Sequence, residues 1–109
     1  MGEVKLERYS VDVSPEAEQD LSDILNYIKN ELLEPAIATK YLKLIREKID
    51  SLEYYPERFG IIENELIRDT VYRKIVIKNY IVIYRVDKEK KIVHIVRVAY
   101  GGRNFEKLL

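Results

Sequence analysis

The stretch RKIVIKNYIVIYRVDKEKKIVHIVRVAYGGRN, Arg73 to Asn104, decides the fold. β-Branched and aromatic residues fill it, which is strand chemistry, and two breaks divide it. Lys78-Asn79 suits a two-residue turn because asparagine tolerates positive φ, and the lysine-rich segment Asp87–Lys91 supplies a second turn. The pattern predicts strands at Tyr72–Ile77, Tyr80–Asp87 and Ile92–Tyr100, joined as an antiparallel meander. The last two strands are apolar on both faces: Ile81 and Ile83 alternate with Val82 and Tyr84, and Val93 and Ile95 with His94 and Val96. A sheet with helices on one side only should be polar on the other. That second face needs a cover, either the loop from Tyr54 to Thr70 or another chain, and the reading favours another chain.

Upstream, the periodicity changes twice. Tyr9, Val11 and Val13 alternate with Ser10 and Asp12, a short half-buried strand. Ser14-Pro15-Glu16 then reads as an N-cap, a proline in the first helical position and an acidic first turn. Ala17, Leu21, Ile24, Leu25, Ile28 and Leu32 form an apolar stripe at helical spacing. Pro35 restarts a second helix, whose stripe is Ala38, Tyr41, Ile45, Ile49 and Leu52. With so short a joint the two helices form an antiparallel hairpin. The expected fold is α+β: strand, helix, helix and a three-stranded meander, with the helices on one face, in a single domain spanning residues 1–109.

Composition narrows the functions. The 109 residues include no cysteine and one histidine, which excludes disulfides and thiolate catalysis and argues against a zinc site; no cofactor is expected. No apolar run approaches the ~18 residues a membrane span needs, and the first residues lack a secretory pattern, so a cytoplasmic location with no membrane partner is expected. The net charge of zero conceals an asymmetry. Residues 1–69 hold 9 basic and 16 acidic side chains, whereas residues 70–109 hold 10 basic and 3 acidic. The basic part could hold a polyanion.

With a two-residue turn at Lys78-Asn79, plain alternation places Lys74 on one face with Tyr72, Val76, Ile81, Ile83 and Arg85. A symmetric second turn adds His94, Val96 and Tyr100 to that face, and leaves Arg73 and Arg97 opposite with Tyr80, Val82 and Tyr84. Arg85 and Arg97 are each either functional or paired with a helix carboxylate. Arg103 follows Gly101-Gly102, where the chain is free to approach a ligand, and is suited to grip a phosphate or carboxylate. His94 reads as a packing residue, since no second histidine or ligand-spaced carboxylate accompanies it. The helix carboxylates Glu16, Glu18, Asp20 and Asp23 are expected mostly on the solvated side. No phosphate loop, HExxH or nucleophile elbow occurs.

SPEAEQDLSDILNYI, the helical hairpin, the YPERFG loop, NYIVIYRVD (Asn79–Asp87) and IVRVAYGGRN (Ile95–Asn104) together resemble the RelE/ParE superfamily of toxins from type II toxin–antitoxin modules. The resemblance runs from about Tyr9 to Leu109. It implies a small cytoplasmic growth inhibitor of the plasmid-stabilisation type, neutralised by a cognate antitoxin that would contact the strands through Val76, Ile81 and Ile83. Arg97 and Arg103 match the recurring arginines of the family's "RV…GxR" ending. RelE-like members are ribosome-dependent endoribonucleases that need cations around the moving phosphate. On that pattern Lys74, Arg85 and Arg103 would be the cations, with Tyr100 or His94 in acid–base support. Two positions depart from it: Tyr72 stands where a second lysine is expected, and Ile81 where an arginine is. Loss of one such cation commonly costs ~10²–10³ in rate. ParE-like members inhibit DNA gyrase and are not hydrolases. Ile81 and the ending GGRNFEKLL lean toward ParE, with Arg97, Arg103 and the tail from Phe105 as the target-binding set, aided by Lys74 and Arg85.

Overall fold

The computed structural model describes residues 6–63 and 70–101. β1 (Ser10–Val13) leads directly into α1 (Pro15–Asn26), which continues through a π-helical turn, Tyr27–Glu31. α2 spans Pro35–Asp50, and single 3₁₀ turns follow at Ser51–Glu53 and Pro56–Arg58. β2 (Arg73–Ile77), β3 (Tyr80–Asp87) and β4 (Ile92–Tyr100) form the meander. The sheet order is β1-β4-β3-β2, antiparallel except for β1, which runs parallel to β4. The expected α+β architecture is the one observed, with β1 completing a mixed sheet.

Local chemistry sets these limits. Ser14 is extended, and its hydroxyl accepts from the Ala17 N–H at 3.0 Å while donating to the Val96 carbonyl at 2.9 Å. One side chain thereby caps α1 and ties it to β4. Pro15 and Pro35 each occupy the first helical turn, where a missing N–H goes unnoticed. The two-residue turn between β2 and β3 is present, but its positive φ, 55°, falls on Lys78 rather than on Asn79, the residue whose tolerance pointed to it.

Ala17, Leu21, Ala38, Ile45 and Ile49 face the sheet and pack on Ile75, Val82, Tyr84, Val93 and Ile95 in one core. Leu32 does not join it: the helix widens at Tyr27, and Leu32 is 51% exposed. Part of the second face is covered by the chain itself. Ile62, with Tyr72 and Val96, packs over Ile81 and Ile83, which keep 5% and 0% of their surface. Backbone bonds fasten this cover, from the Ile62 N–H to the Tyr72 carbonyl at 2.8 Å and from the Lys74 N–H to the Gly60 carbonyl at 3.1 Å. Arg73 and Tyr84 add side-chain bonds to the carbonyls of Phe59 and Pro56 at 2.7 and 2.6 Å. Of the two covers considered from sequence, the loop rather than another chain lies on Ile81 and Ile83. The loop succeeds because Ile62 is fixed edge-on to β2.

One irregularity redirects the end of β4. Tyr84 pairs with Ile95 but Ile83 pairs with Arg97, so Val96 is an extra residue, a β-bulge. Beyond it every assignment from plain alternation reverses. Arg97 lies opposite Ile83 instead of sharing a face with Val82, and Tyr100 lies opposite Tyr80 instead of beside Ile81. The rings of Tyr80 and Tyr100 meet edge to face at 6.0 Å.

Candidate functional site

The residues singled out from sequence fall into three places. Lys74 and Arg85 share the second face: Lys74 pairs with Ile83, Arg85 with His94. Such diagonal neighbours stand roughly 7–8 Å apart. Tyr100 is on the other face, half exposed at the end of β4. Arg103 and the tail from Phe105 lie outside the described residues. The structure brings Lys74, Arg85 and His94 to one face and separates Tyr100 from them.

Arg97 is committed to another task. Its Nε and Nη2 donate to the two carboxylate oxygens of Asp20 at 2.7 and 2.9 Å, a bidentate pair that holds the guanidinium charged and pushes its pKa up. Asp20 Oδ2 also accepts from the Val98 backbone N–H at 2.9 Å. The pairing of an arginine head with a helix carboxylate is therefore the arrangement found. Asp20 is the residue that reasoning from sequence missed. The helix acids are expected mostly on the solvated side, yet the Asp20 side chain is only 12% exposed. Its spacing carried the signal: three residues after Ala17 and four before Ile24, it sits on the flank of the apolar stripe.

Two surface depressions frame the sheet. A shallow cleft of about 380 Å³ is lined by Asp12, Ser14, Glu16, Arg85, His94 and Arg97. Within it His94 Nδ1 is 3.7 Å from an Asp12 carboxylate oxygen. Asp12 and Glu16 stand against Arg85, His94 and Arg97 around this cleft, which leaves little of the cation excess that a phosphodiester demands. The larger groove, about 960 Å³, opens between the end of the helical hairpin and the ends of β3 and β4. Tyr27, Leu32, Ile37, Tyr41 and Tyr100 give it apolar walls, and exposed Asp23 and Glu34 give it acidic ones. Leu33, at the hairpin tip beside it, is 77% exposed and held at φ 55°, an uncommon conformation for a branched residue.

Across the middle of the second face runs one row of paired residues: Val76, Ile81 and Ala99. None carries a charge. Gly101 closes the end of this row. Its N–H donates to the Asn79 carbonyl at 2.7 Å, and a Cβ there would stand 3.3 Å from that oxygen. The close approach expected of this glycine is thus made to the chain's own β2–β3 turn. Among the described residues no group of three or more His, Asp or Glu side chains is placed to hold a metal ion, and no helix is long and apolar enough to cross a membrane.

Residues 11–105 match the family described as the ParE toxin of the type II toxin–antitoxin system parDE. The chain belongs to the ParE toxin family. Solved structures agree on the fold. A chain of the chromosomal ParDE system of Pseudomonas aeruginosa superposes with a TM-score of 0.69 at 20% identity, covering 86% of this chain and 97% of that one. The archaeal RelE–RelB complex from Pyrococcus horikoshii gives 0.62 at 23% identity, covering 88% and 98%. The RelBE2 toxin–antitoxin complex of Mycobacterium tuberculosis gives 0.60 at 25% identity, covering 85% and 98%. No protein of curated function matches this chain. The chain is a type II toxin by family, and the apolar row at its centre bears on which kind.

Proposed function

We propose that this toxin acts by binding and inhibiting a protein target, DNA gyrase, rather than by cutting RNA. The row Val76–Ile81–Ala99 carries this reading. RNA cleavage by 2′-hydroxyl attack needs cations where charge develops on the phosphate, and three neighbouring apolar side chains supply none. Arg97, expected from sequence in the target-binding set, is paired with Asp20 and is withdrawn from that contact. Under this reading the target contact is made by Arg103 and the C-terminal tail, with Lys74 and Arg85 as flanking charges. The cognate antitoxin is a second partner. It seats an amphipathic segment, apolar on one side and basic at its borders, in the groove between Tyr27, Ile37 and Tyr100, where Asp23 and Glu34 supply complementary charge. Of the three antitoxin contacts expected from sequence, Val76 is 63% exposed and available, whereas Ile81 and Ile83 are under Ile62.

The test is to induce the chain alone in bacterial cells, map new mRNA 5′ ends as growth stops, and assay purified gyrase for supercoiling. Lost supercoiling with intact message supports the reading. New ends confined to translated message overturn it and favour ribosome-dependent cleavage by Lys74, Arg85 and His94, which do share a face. In that event Lys74→Ala should abolish the cuts.

A further inference from the structure

We infer that Asp20 is a positioning residue for the end of β4: by holding the bulge at Val96, it sets which face of the sheet Tyr100 occupies and where Gly101 stands. This deepens the toxin reading and rests on it, since Arg103 and the tail assigned to the target follow Gly101 in the sequence.

The bulge lies where β4 loses a neighbour. β1 ends at Val13, opposite Ile95, and the last bond along that edge runs from the Ser14 N–H to the Ile95 carbonyl at 3.0 Å. From Val96 onward the outer edge of β4 faces α1 instead of a strand. Asp20 is the group that α1 offers there. One carboxylate meets the Val98 N–H, which would otherwise be an unpaired edge donor, and the Arg97 guanidinium, one residue earlier. Both bonds require Arg97 and Val98 to sit one pairing position short of where an unbulged strand would place them, opposite Ile83 and Val82. The extra residue, Val96, is absorbed with its carbonyl held by the Ser14 hydroxyl and its side chain against Ile62, Ile81 and Ile83.

Two side-chain registers compete beyond the bulge. In the observed one, Val82 pairs with Val98 and Tyr80 with Tyr100, so Tyr100 forms a wall of the apolar groove. In the unbulged alternative Val82 would pair with Arg97, and Tyr100 would move to the second face. A shift of one residue exchanges every face beyond it. The apolar pattern alone chooses weakly between them, because Val96, Val98 and Ala99 are acceptable on either side. The ion pair decides, since in the alternative the guanidinium would lie under the helices among Val82, Tyr80 and Ile95.

The test uses Asp20→Asn combined with Arg97→Met, which keeps an acceptor for the Val98 N–H while removing the charge pair. Cross-strand NMR contacts report the register, growth arrest on induction reports the output, and circular dichroism with urea unfolding reports the intact fold. The expected result is a folded chain in which the Val82–Val98 and Tyr80–Tyr100 contacts give way to Val82–Arg97-position contacts, with growth arrest reduced at least tenfold. Deleting Val96 in the same background should restore both, because a strand without the extra residue pairs Ile83 with position 97 unaided. Persistence of the Tyr80–Tyr100 contact in the double variant overturns the inference, as does a restored contact without restored arrest. If the double variant fails to fold, the Val96 deletion in that background still decides: recovery of fold, contact and arrest together supports the role, and recovery of fold without the contact overturns it. Wild-type protein that causes no arrest refutes the toxin reading, while the NMR contacts still test the role of Asp20.

Discussion

Beneath the helices β3 presents Tyr80, Val82 and Tyr84, and on its other face it presents Ile81, Ile83 and Arg85. The first set belongs to a core that includes both helices, β1 and the rest of the sheet, with Tyr84 and Val82 fully excluded from water. Ile81 and Ile83 of the second set are shielded by the loop residue Ile62, with Tyr72 and Val96, and the loop is fastened through backbone bonds to Tyr72 and β2. Arg85 apart, the two faces of one strand are thus alike in apolar sequence and unequal in support. The helix face is held by many elements, so losing one contact leaves a cavity. The loop face is held by a short segment that is able to settle onto a smaller side chain.

The most severe test of that inequality removes volume from the helix face. Ile45 is fully buried at the centre of α2, and Ile45→Ala should lower the stability by about 3–5 kcal/mol, measured by urea unfolding. A loss below about 1 kcal/mol would mean that α2 repacks, and the two faces would not differ as described.

The buried hydroxyl of Tyr84 sharpens the comparison through pH. It lies in the core, donating to the Pro56 carbonyl, and burial pushes its pKa from 10.0 up to about 12. The unfolded chain therefore releases this proton at lower pH than the folded one. The resulting stability is complete below pH 10 and declines as pH rises through about 12. The decline should amount to about 2–3 kcal/mol. Tyr84→Phe should remove that alkaline step while weakening the protein at neutral pH through the unpaired Pro56 carbonyl. An unchanged alkaline profile in Tyr84→Phe would place the sensitive group elsewhere.

On the loop face the effects should be smaller. Ile62→Ala removes the cover from Ile81 and Ile83, and the expected loss is about 2 kcal/mol, the low end for such truncations. Because those isoleucines would then be exposed beside Val76, binding of the hydrophobic dye ANS should rise. A loss equal to that of Ile45→Ala would show that the loop is as integral to the core as the helices.

Most of the fold was legible because its periodicities are local. The stripes of Ala17–Ile28 and Ala38–Leu52, the Ser14 cap and the Lys78-Asn79 turn each follow from neighbouring residues, and all are present. What escaped was non-local. The bulge at Val96 depends on an acid 76 residues earlier, at Asp20, and nothing in the alternation of β4 marks it. The same holds for the cover supplied by Ile62 and for the groove beside Tyr100. The candidate site was accordingly half legible: Lys74 and Arg85 were placed on the correct face, and Arg97 and Tyr100 were exchanged.

The smallest expected effect comes from a second bidentate arginine among the described residues. Arg46 donates to the two oxygens of Glu18 at 3.0 and 2.7 Å, bridging α2 to α1 with a geometry much like that between Arg97 and Asp20. The difference is exposure, 45% and 47% for this pair against 27% and 12% for the other. The Arg46 hydrogen bonds hold the Glu18 carboxyl below its usual range, so its stabilisation exists above the unfolded pKa of 4.5 and is lost as pH falls through the folded value. Water and salt screen so open a pair, and Arg46→Ala should change stability by only about 0.2–1 kcal/mol, less still in 1 M salt. A larger loss, insensitive to salt, would show that the hairpin depends on this bridge. The identical fork at Asp20 has water on fewer sides and a backbone N–H besides, so equal effects from the two pairs would remove burial as the reason for assigning them different roles.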